Sequence, residues 1–341
     1  MELSWEPGTA TGVGSLPGSD PVEACRLVFG ELARLPHLPE LPGRGPGAGM
    51  LGRGALFLTD LHVDLQPAGW RLVPRPGRDE QRARGLLGND LDALEEVAAG
   101  YRGPLKLQAA GPWTLAAGLE LPRGDRALAD PGAVRDVSES LADGLAAHVQ
   151  AVRRRVPGVS AIYLQVDEPA LPAVLAGRLP TASGFGALAA VEGDAARAGL
   201  ARVLAALAGA GAVPGVHCCG AAPPVSLFVT AGARFVSLDA GLHQQSDDDA
   251  VGSAVEAGLL LLVGLVSSAP ADSTPAGLSS VANTVEPAVA LWRRLGFDPQ
   301  RLAEVVAVTP TCGLAGADAS YARLALRRCG DAARALAEGP A

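Results

Sequence analysis

The sequence predicts an α/β protein folded as a single (β/α)8 (TIM) barrel spanning residues 1–341, with an extended N-terminal βα excursion. Two observations carry that reading. From about residue 100 onward, short near-continuous apolar runs alternate with Ala/Leu/Arg-rich helical stretches. Such runs imply a parallel sheet covered on both faces. Residues with chemical capacity stand just after nearly every run: Asp167-Glu168, His217 to Cys219, Asp239, Ser267-Ser268 and Thr311-Cys312. A closed barrel gathers all of those positions at one mouth, whereas a doubly wound open sheet gathers only the few near its switch point.

The elements follow in order. The first hundred residues are less regular, and the stretch from Pro36 to Gly54 is dense in Pro and Gly. They read as a first strand-loop at Thr11–Pro17 and a long excursion reaching over the mouth. Strands are then expected at Pro104–Ala109, Ala161–Val166, Val213–His217, Ala233–Leu238, Leu259–Val266 and Val305–Val308. Helical patterns lie between and after them at Ala133–Arg155, Asp194–Ala210, Asp247–Ala257, Val281–Leu295 and Tyr321–Ala337. Asp130-Pro131 supplies an N-cap and a first-turn proline for the first of these.

Composition narrows the function classes. The chain is 48% hydrophobic with a mean hydropathy of +0.23, which excludes disorder. Aromatics are only 4%, so Leu, Val and Ala must build the core. A net charge of −8 without a basic cluster argues against nucleic-acid partners. The longest apolar run, Ala257 to Val266, is too short to span a bilayer and reads as a buried strand, so no membrane is expected. The N-terminal residues lack the basic and apolar regions of a signal peptide. Five cysteines do not suggest a disulfide framework, so a reduced, cytoplasmic setting is expected. The single lysine, Lys106, reads as a compositional bias toward arginine.

The strongest local signal is Val216-His217-Cys218-Cys219-Gly220. Side chains alternate along a strand, so His217 and Cys219 project to one side and Cys218 to the other. An imidazole and a thiolate on one face can share a metal. Cys312 follows the last strand and can reach the same mouth, and Asp239 ends a strand between them. Two sulfurs, a nitrogen and a carboxylate oxygen form a set suited to zinc. The structural alternative is a buried cysteine acting as a small hydrophobe beside a histidine bonded to a backbone carbonyl.

These motifs resemble the catalytic barrel of the cobalamin-independent methionine synthase family, within the superfamily that also holds uroporphyrinogen decarboxylase. The resemblance runs from about residue 11 to 316, in the family's order. It implies zinc held by His217, Cys219 and Cys312 (the last in a Cys-Gly-Leu context), with Asp239 as the carboxylate ligand. The family's Asp-Glu-Pro-Ala-Leu segment stands intact at Asp167 to Leu171 and implies that Asp167 binds the amino group of homocysteine. Val13-Gly14-Ser15-Leu16-Pro17 resembles the family's Ile-Gly-Ser-Phe-Pro element, which implies that Val13 and Ser15 grip the substrate carboxylate. A second amino-group ligand falls on Glu40, followed by an x-Gly-Trp match at Ala68-Gly69-Trp70; Gly111-Pro112-Trp113-Thr114 resembles a Gly-Pro-x-Thr turn. The implied activity is methyl transfer to the homocysteine thiol, forming methionine, with folate or corrinoid as donor.

Three departures stand out. Asp239 replaces the family's usual glutamate. The family's proton-shuttling histidine is missing from Gly264 to Pro270; His243 is the remaining candidate, set against its reading as a solvated loop residue. No counterpart of the second, N-terminal barrel of the folate-dependent enzymes is expected within residues 1–341. Alternatives at this level are a zinc alkyltransferase for another thiol, a metal-free decarboxylase, and a non-catalytic barrel. His37, His62 and His148 read as surface or loop residues, Cys25, Cys218 and Cys329 as packing, and Asp247-Asp248-Asp249 as a capped, solvated helix start.

Overall fold

The computed structural model describes residues 3–269 and 278–339. Two strands, β1 (His62–Gln66) and β2 (Gly69–Val73), form an antiparallel hairpin. Six more, β3 (Gly103–Ala110), β4 (Val159–Asp167), β5 (Ala212–Cys218), β6 (Phe235–Asp239), β7 (Leu260–Val266) and β8 (Val306–Pro310), form one parallel sheet in sequential order. Each lies on an expected run to within a few residues. Most of the connecting crossovers carry helices, chiefly Pro131–Arg155, Gly193–Gly209, Asp248–Glu256 and Val281–Leu295; Ala319–Glu338 follows β8. Asp130 caps the first of these, accepting from Gly132 N–H at 2.7 Å. Among the described residues, no helix is long and apolar enough to cross a membrane.

The expected strand at Thr11–Pro17 is not a regular strand. Residues 9–16 instead make isolated parallel bridges, Ala10 to Val308 of β8 and Ser15 to Glu40, and His37 bridges to Lys106 of β3. The bonds are ordinary: Thr11 N–H to Val308 O at 3.0 Å, Leu16 N–H to Glu40 O at 2.8 Å, Leu38 N–H to Lys106 O at 3.0 Å. Gly12 and Gly14 explain both the irregularity and the closeness. A Cβ on Gly12 would meet the His37 ring at 2.2 Å, and one on Gly14 would meet Gln108 at 2.7 Å.

The excursion carries more structure than its Pro/Gly content suggests. Asp20-Pro21 starts a helix at Pro21–Glu31, with the Asp20 carboxylate accepting from Val22 and Glu23 N–H. A short helix at Met50–Ala55 and a long one at Arg78–Val97 flank the hairpin. Trp70, buried on β2, packs on Gly52 of the short helix and so supports its neighbour Arg53.

Two histidines assigned to the surface are in fact enclosed. His37 is wholly buried, and His148 is buried on the Pro131–Arg155 helix with its ring 4.7 Å from that of Phe57. Burial pushes both imidazoles down to about 3, so the fold keeps them neutral. Cys25, Cys218 and Cys329 are core residues, as the sequence implied.

Within the sheet one face is graded. Near the strand starts, Phe235, Leu260, Leu262 and Ala307 form a separate apolar cluster closed by Trp5 and Leu35. Trp5 Nε1–H donates to Leu261 O at 3.2 Å, and its ring lies 5.0 Å from Tyr163. Toward the strand ends the alternating positions turn polar: Gln108 on β3, Gln165 and Asp167 on β4, His217 on β5, Ser237 and Asp239 on β6.

Candidate metal centre

Parallel pairing places Asp167 opposite His217 and His217 opposite Ser237, so three adjacent strands end side by side. His217 comes off the end of β5 and is 3% exposed. Cys219 lies two residues on, and Cys312 lies two residues past β8. The ligand atoms of His217, Cys219 and Cys312 all lie within 4.8 Å of one another, the one such His/Cys/Asp/Glu group among the described residues. The two sulfurs are 3.5 Å apart.

That geometry fits a soft divalent ion. Two thiolates at about 2.3 Å from a tetrahedral zinc sit about 3.8 Å from each other. His217 Nδ1 is 2.9 Å from the Ser237 hydroxyl, while Nε2 is buried and has no hydrogen-bond partner. With Nδ1–H donating to Ser237, Nε2 presents a lone pair, the arrangement in which a metal-ligating imidazole is held by an outer partner. Cys312 is held well below the usual thiol range by its hydrogen bond with Cys219 and then by His217; Cys219 is pushed up by the same contact and then by burial.

Asp239 does not join the three. Its Oδ1 accepts the Gly241 N–H at 2.8 Å, folding the short carboxylate back onto its own turn. Burial holds its carboxyl above the usual range, with Cys312 adding to the effect. His243 is not a solvated loop residue: its Nε2 lies 2.6 Å from Asp248 Oδ1, and Asp248 also accepts from Arg294 Nε at 2.8 Å. The acidic run is therefore only partly solvent-facing. Asp247 turns back on Gln244, and Asp248 is tied to two partners. In the segment expected to carry a shuttle histidine, Pro270 lies outside the described residues, and Gly264 to Ala269 include no histidine.

The sequence motifs interlock in pairs. Ser15 packs on the turn carrying Cys312: a Cβ on Gly313 would meet Ser15 Oγ at 2.1 Å, and Leu314 N–H donates to Ser15 O at 2.8 Å. Only glycine after Cys312 allows that approach. Glu168 is wholly buried and accepts from Trp113 N–H at 2.9 Å and from Thr114 N–H and hydroxyl at 2.8 Å. Its carboxylate thus caps the Pro112–Gly118 helix from another strand, which joins the Asp-Glu-Pro and Gly-Pro-x-Thr segments. Burial pushes Glu168 up to about 7 against those hydrogen bonds.

Glu40 and Asp167 are both buried beside this centre. Glu40 Oε1 is 3.2 Å from Arg53 Nε and accepts from Gln108 Nε2 at 3.2 Å. Arg53 is paired in turn with Asp90, which also holds Arg44. Asp167 Oδ1 accepts from Gln165 Nε2 at 2.6 Å. Burial pushes Asp167 up to about 7, opposed by His217 and reinforced by Glu40.

Sequence reasoning missed Lys106. It is wholly buried on β3, and its Nζ donates to Val13 O at 2.8 Å. The one usable signal was its singularity, a lone lysine among 28 basic residues.

No protein-family model matches the chain, and no curated protein matches it. Solved structures do. A B12-independent methionine synthase from Shewanella sp. W3-18-1, in complex with selenomethionine, superposes with a TM-score of 0.63 at 12% identity, covering 98% of each chain. A glycoside hydrolase family 20 β-N-acetylglucosaminidase reaches a TM-score of 0.48 at 14% identity, covering 96% of this chain and 70% of that one. At such identities the first likeness shows the fold alone. This chain therefore has a methionine synthase-like α/β fold with a His/Cys cluster able to hold a metal.

Proposed function

We propose that this chain is a zinc-dependent methyltransferase that moves a methyl group to the thiol of homocysteine, forming methionine. The observation that carries the reading is the convergence of one unpartnered imidazole nitrogen and two cysteine sulfurs, from segments 93 residues apart, within 4.8 Å. His217, Cys219 and Cys312 hold the ion, and Asp239 adds a fourth, displaceable oxygen only after its carboxylate turns away from the Gly241 N–H. When bound, zinc supplies a nucleophilic thiolate from a substrate thiol whose free pKa of about 8.5 leaves it mostly protonated at neutral pH.

The chain's own residues supply position. Ser237 fixes the ring of His217. Asp167 and Glu40 bind the substrate ammonium, and the Val13–Ser15 turn binds its carboxylate. The packing of Ser15 on Gly313 ties that turn to the metal-holding cysteine, so substrate orientation and metal geometry are set by one contact. On this reading residues 9–16 and 36–40 are the first two strands of the barrel, reduced to bridges. The selenomethionine held by the Shewanella protein is the selenium analogue of the proposed product.

Metal analysis of purified protein tests the proposal. Wild type is expected to hold one zinc, and Cys312→Ser to lose it together with at least ~10³-fold in turnover, as for loss of a metal's transition-state contribution of several kcal/mol. Methylcobalamin and methyl-folate assayed side by side identify the donor, and homocysteine against other thiols identifies the acceptor. Zinc-free wild type, or Cys312→Ser with full zinc, overturns the reading.

A further inference from the structure

Lys106 raises a physical problem that the proposed reaction does not address. A fully buried ammonium is costly unless its donors are satisfied and opposite charge lies near. Among the described residues Lys106 makes no direct ion pair. Its Nζ donates to Val13 O at 2.8 Å and lies 3.4 Å from Gln108 Oε1. Two glutamines lead outward from that point. Gln108 Nε2 donates to Leu38 O at 2.6 Å and to Glu40 Oε1 at 3.2 Å. Gln165 Nε2 donates to the same Val13 carbonyl at 3.0 Å and to Asp167 Oδ1 at 2.6 Å.

The network is therefore a fork. Its stem is the Lys106 charge on the Val13 carbonyl, and its tines end on the two buried carboxylates. Both acids act on Lys106 through space, opposing the effect of burial. A compact ammonium with three donors suits such a hub; a planar guanidinium does not. In a chain whose other 27 basic residues are all arginine, the exception stands where that difference matters.

We propose that Lys106 is a positioning residue for a zwitterionic amino-acid substrate. It pins the Val13 carbonyl and balances Glu40 and Asp167, so that the carboxylate-binding turn and the ammonium-binding pair stand at a fixed spacing before the ligand arrives. This inference rests on the function proposed above. It separates two kinds of thiol: those carrying an α-ammonium and α-carboxylate depend on Lys106, and those carrying neither do not.

The test compares zinc-loaded wild type and Lys106→Met. Zinc content is measured first, then KM and kcat for homocysteine and for a simple alkanethiol, then methionine binding by calorimetry. In Lys106→Met, zinc stays stoichiometric and alkanethiol turnover stays within about twofold of wild type. KM for homocysteine and Kd for methionine rise about 10- to 100-fold, the worth of a charge-assisted hydrogen bond, with kcat little changed. Equal loss for both thiols, or unchanged KM and Kd, overturns the inference. If Lys106→Met fails to fold, Gln165→Leu removes the other donor to the Val13 carbonyl and must show the same selective loss in KM and Kd; no such loss overturns the inference. Wild type without zinc or without homocysteine turnover instead removes the functional reading, and this inference falls with it.

Discussion

At one end of the sheet Phe235 touches Trp5 and Tyr163, with ring centroids 6.2 and 6.0 Å away, and its ring lies against Gly215. Two and four residues further along the same strand stand Ser237, which holds His217, and Asp239 at the opposite end. β4 shows the same gradient from Tyr163 through Gln165 to Asp167, and β5 shows it from Val213 through Gly215 to His217. One period-2 face thus runs from an apolar plug to a polar mouth. The plug gains from burying rings; the mouth keeps carboxylates, an imidazole and thiols where burial is unfavourable to them. Stability is concentrated at one end and chemistry at the other.

The sharpest way to break that division is to truncate the plug. Phe235→Ala removes a fully buried ring and is expected to cost about 3–5 kcal/mol in urea unfolding. Its folded fraction should still bind zinc as wild type does, because Ser237 and His217 lie beyond the ring on their strands. A loss under about 1 kcal/mol, or weakened metal binding in folded protein, would show that the two ends are not separable.

How much of this gradient the sequence revealed differs by region. β3 to β8 were readable because each is an apolar run bounded by Gly or polar residues, and Ala161–Val166 grew only to Val159–Asp167. His217 and Cys219 were readable as a pair because strand alternation needs no tertiary information. The first hundred residues were harder. Gly12 and Gly14 accommodate His37 and Gln108, contacts set by residues about 25 and 94 positions away, and they leave bridges where a strand was expected. The hairpin at His62–Val73 and the polar Arg78–Val97 helix went unseen among weak local signals. Lys106 was invisible in its role, because a buried run does not say which of its faces looks inward. Its partner carbonyl on Val13 lies 93 residues earlier. Asp239 shows the converse: its position was legible, but the bond to Gly241 that turns it back depends on a local rotamer.

A second variant sharpens the comparison on β6 itself. Ser237→Ala removes the hydroxyl 2.9 Å from His217 Nδ1 and leaves the plug untouched. Loss of an outer partner of a metal-ligating histidine is expected to weaken zinc affinity about 10- to 100-fold. Competition with a chromophoric chelator measures it, and unfolding of the zinc-free protein should move by less than about 1 kcal/mol. An unchanged zinc affinity would mean that the ring is oriented by packing alone.

The smallest effects test whether buried ionisable groups at the mouth and in the helical layer respond to acid in opposite senses. Glu168 has its folded pKa raised to about 7 by burial, from 4.5. It therefore binds a proton more tightly folded than unfolded, and zinc-free protein gains stability from it as pH falls from 7.5 to 5.5, by about 2 kcal/mol. His148 has its folded pKa lowered to about 3, from 6.5, by burial and then by Arg53. The unfolded imidazole takes up a proton below 6.5 while the folded one does not, so the same pH change costs on the order of 1 kcal/mol. Glu168→Gln should thus become less stable relative to wild type on acidification, and His148→Leu more stable relative to wild type. Urea midpoints for both variants at the two pH values read the signs directly. If both differences move the same way, burial does not set the two groups apart, and the contrast between a mouth that holds protons and a layer that refuses them is wrong at one of the two positions.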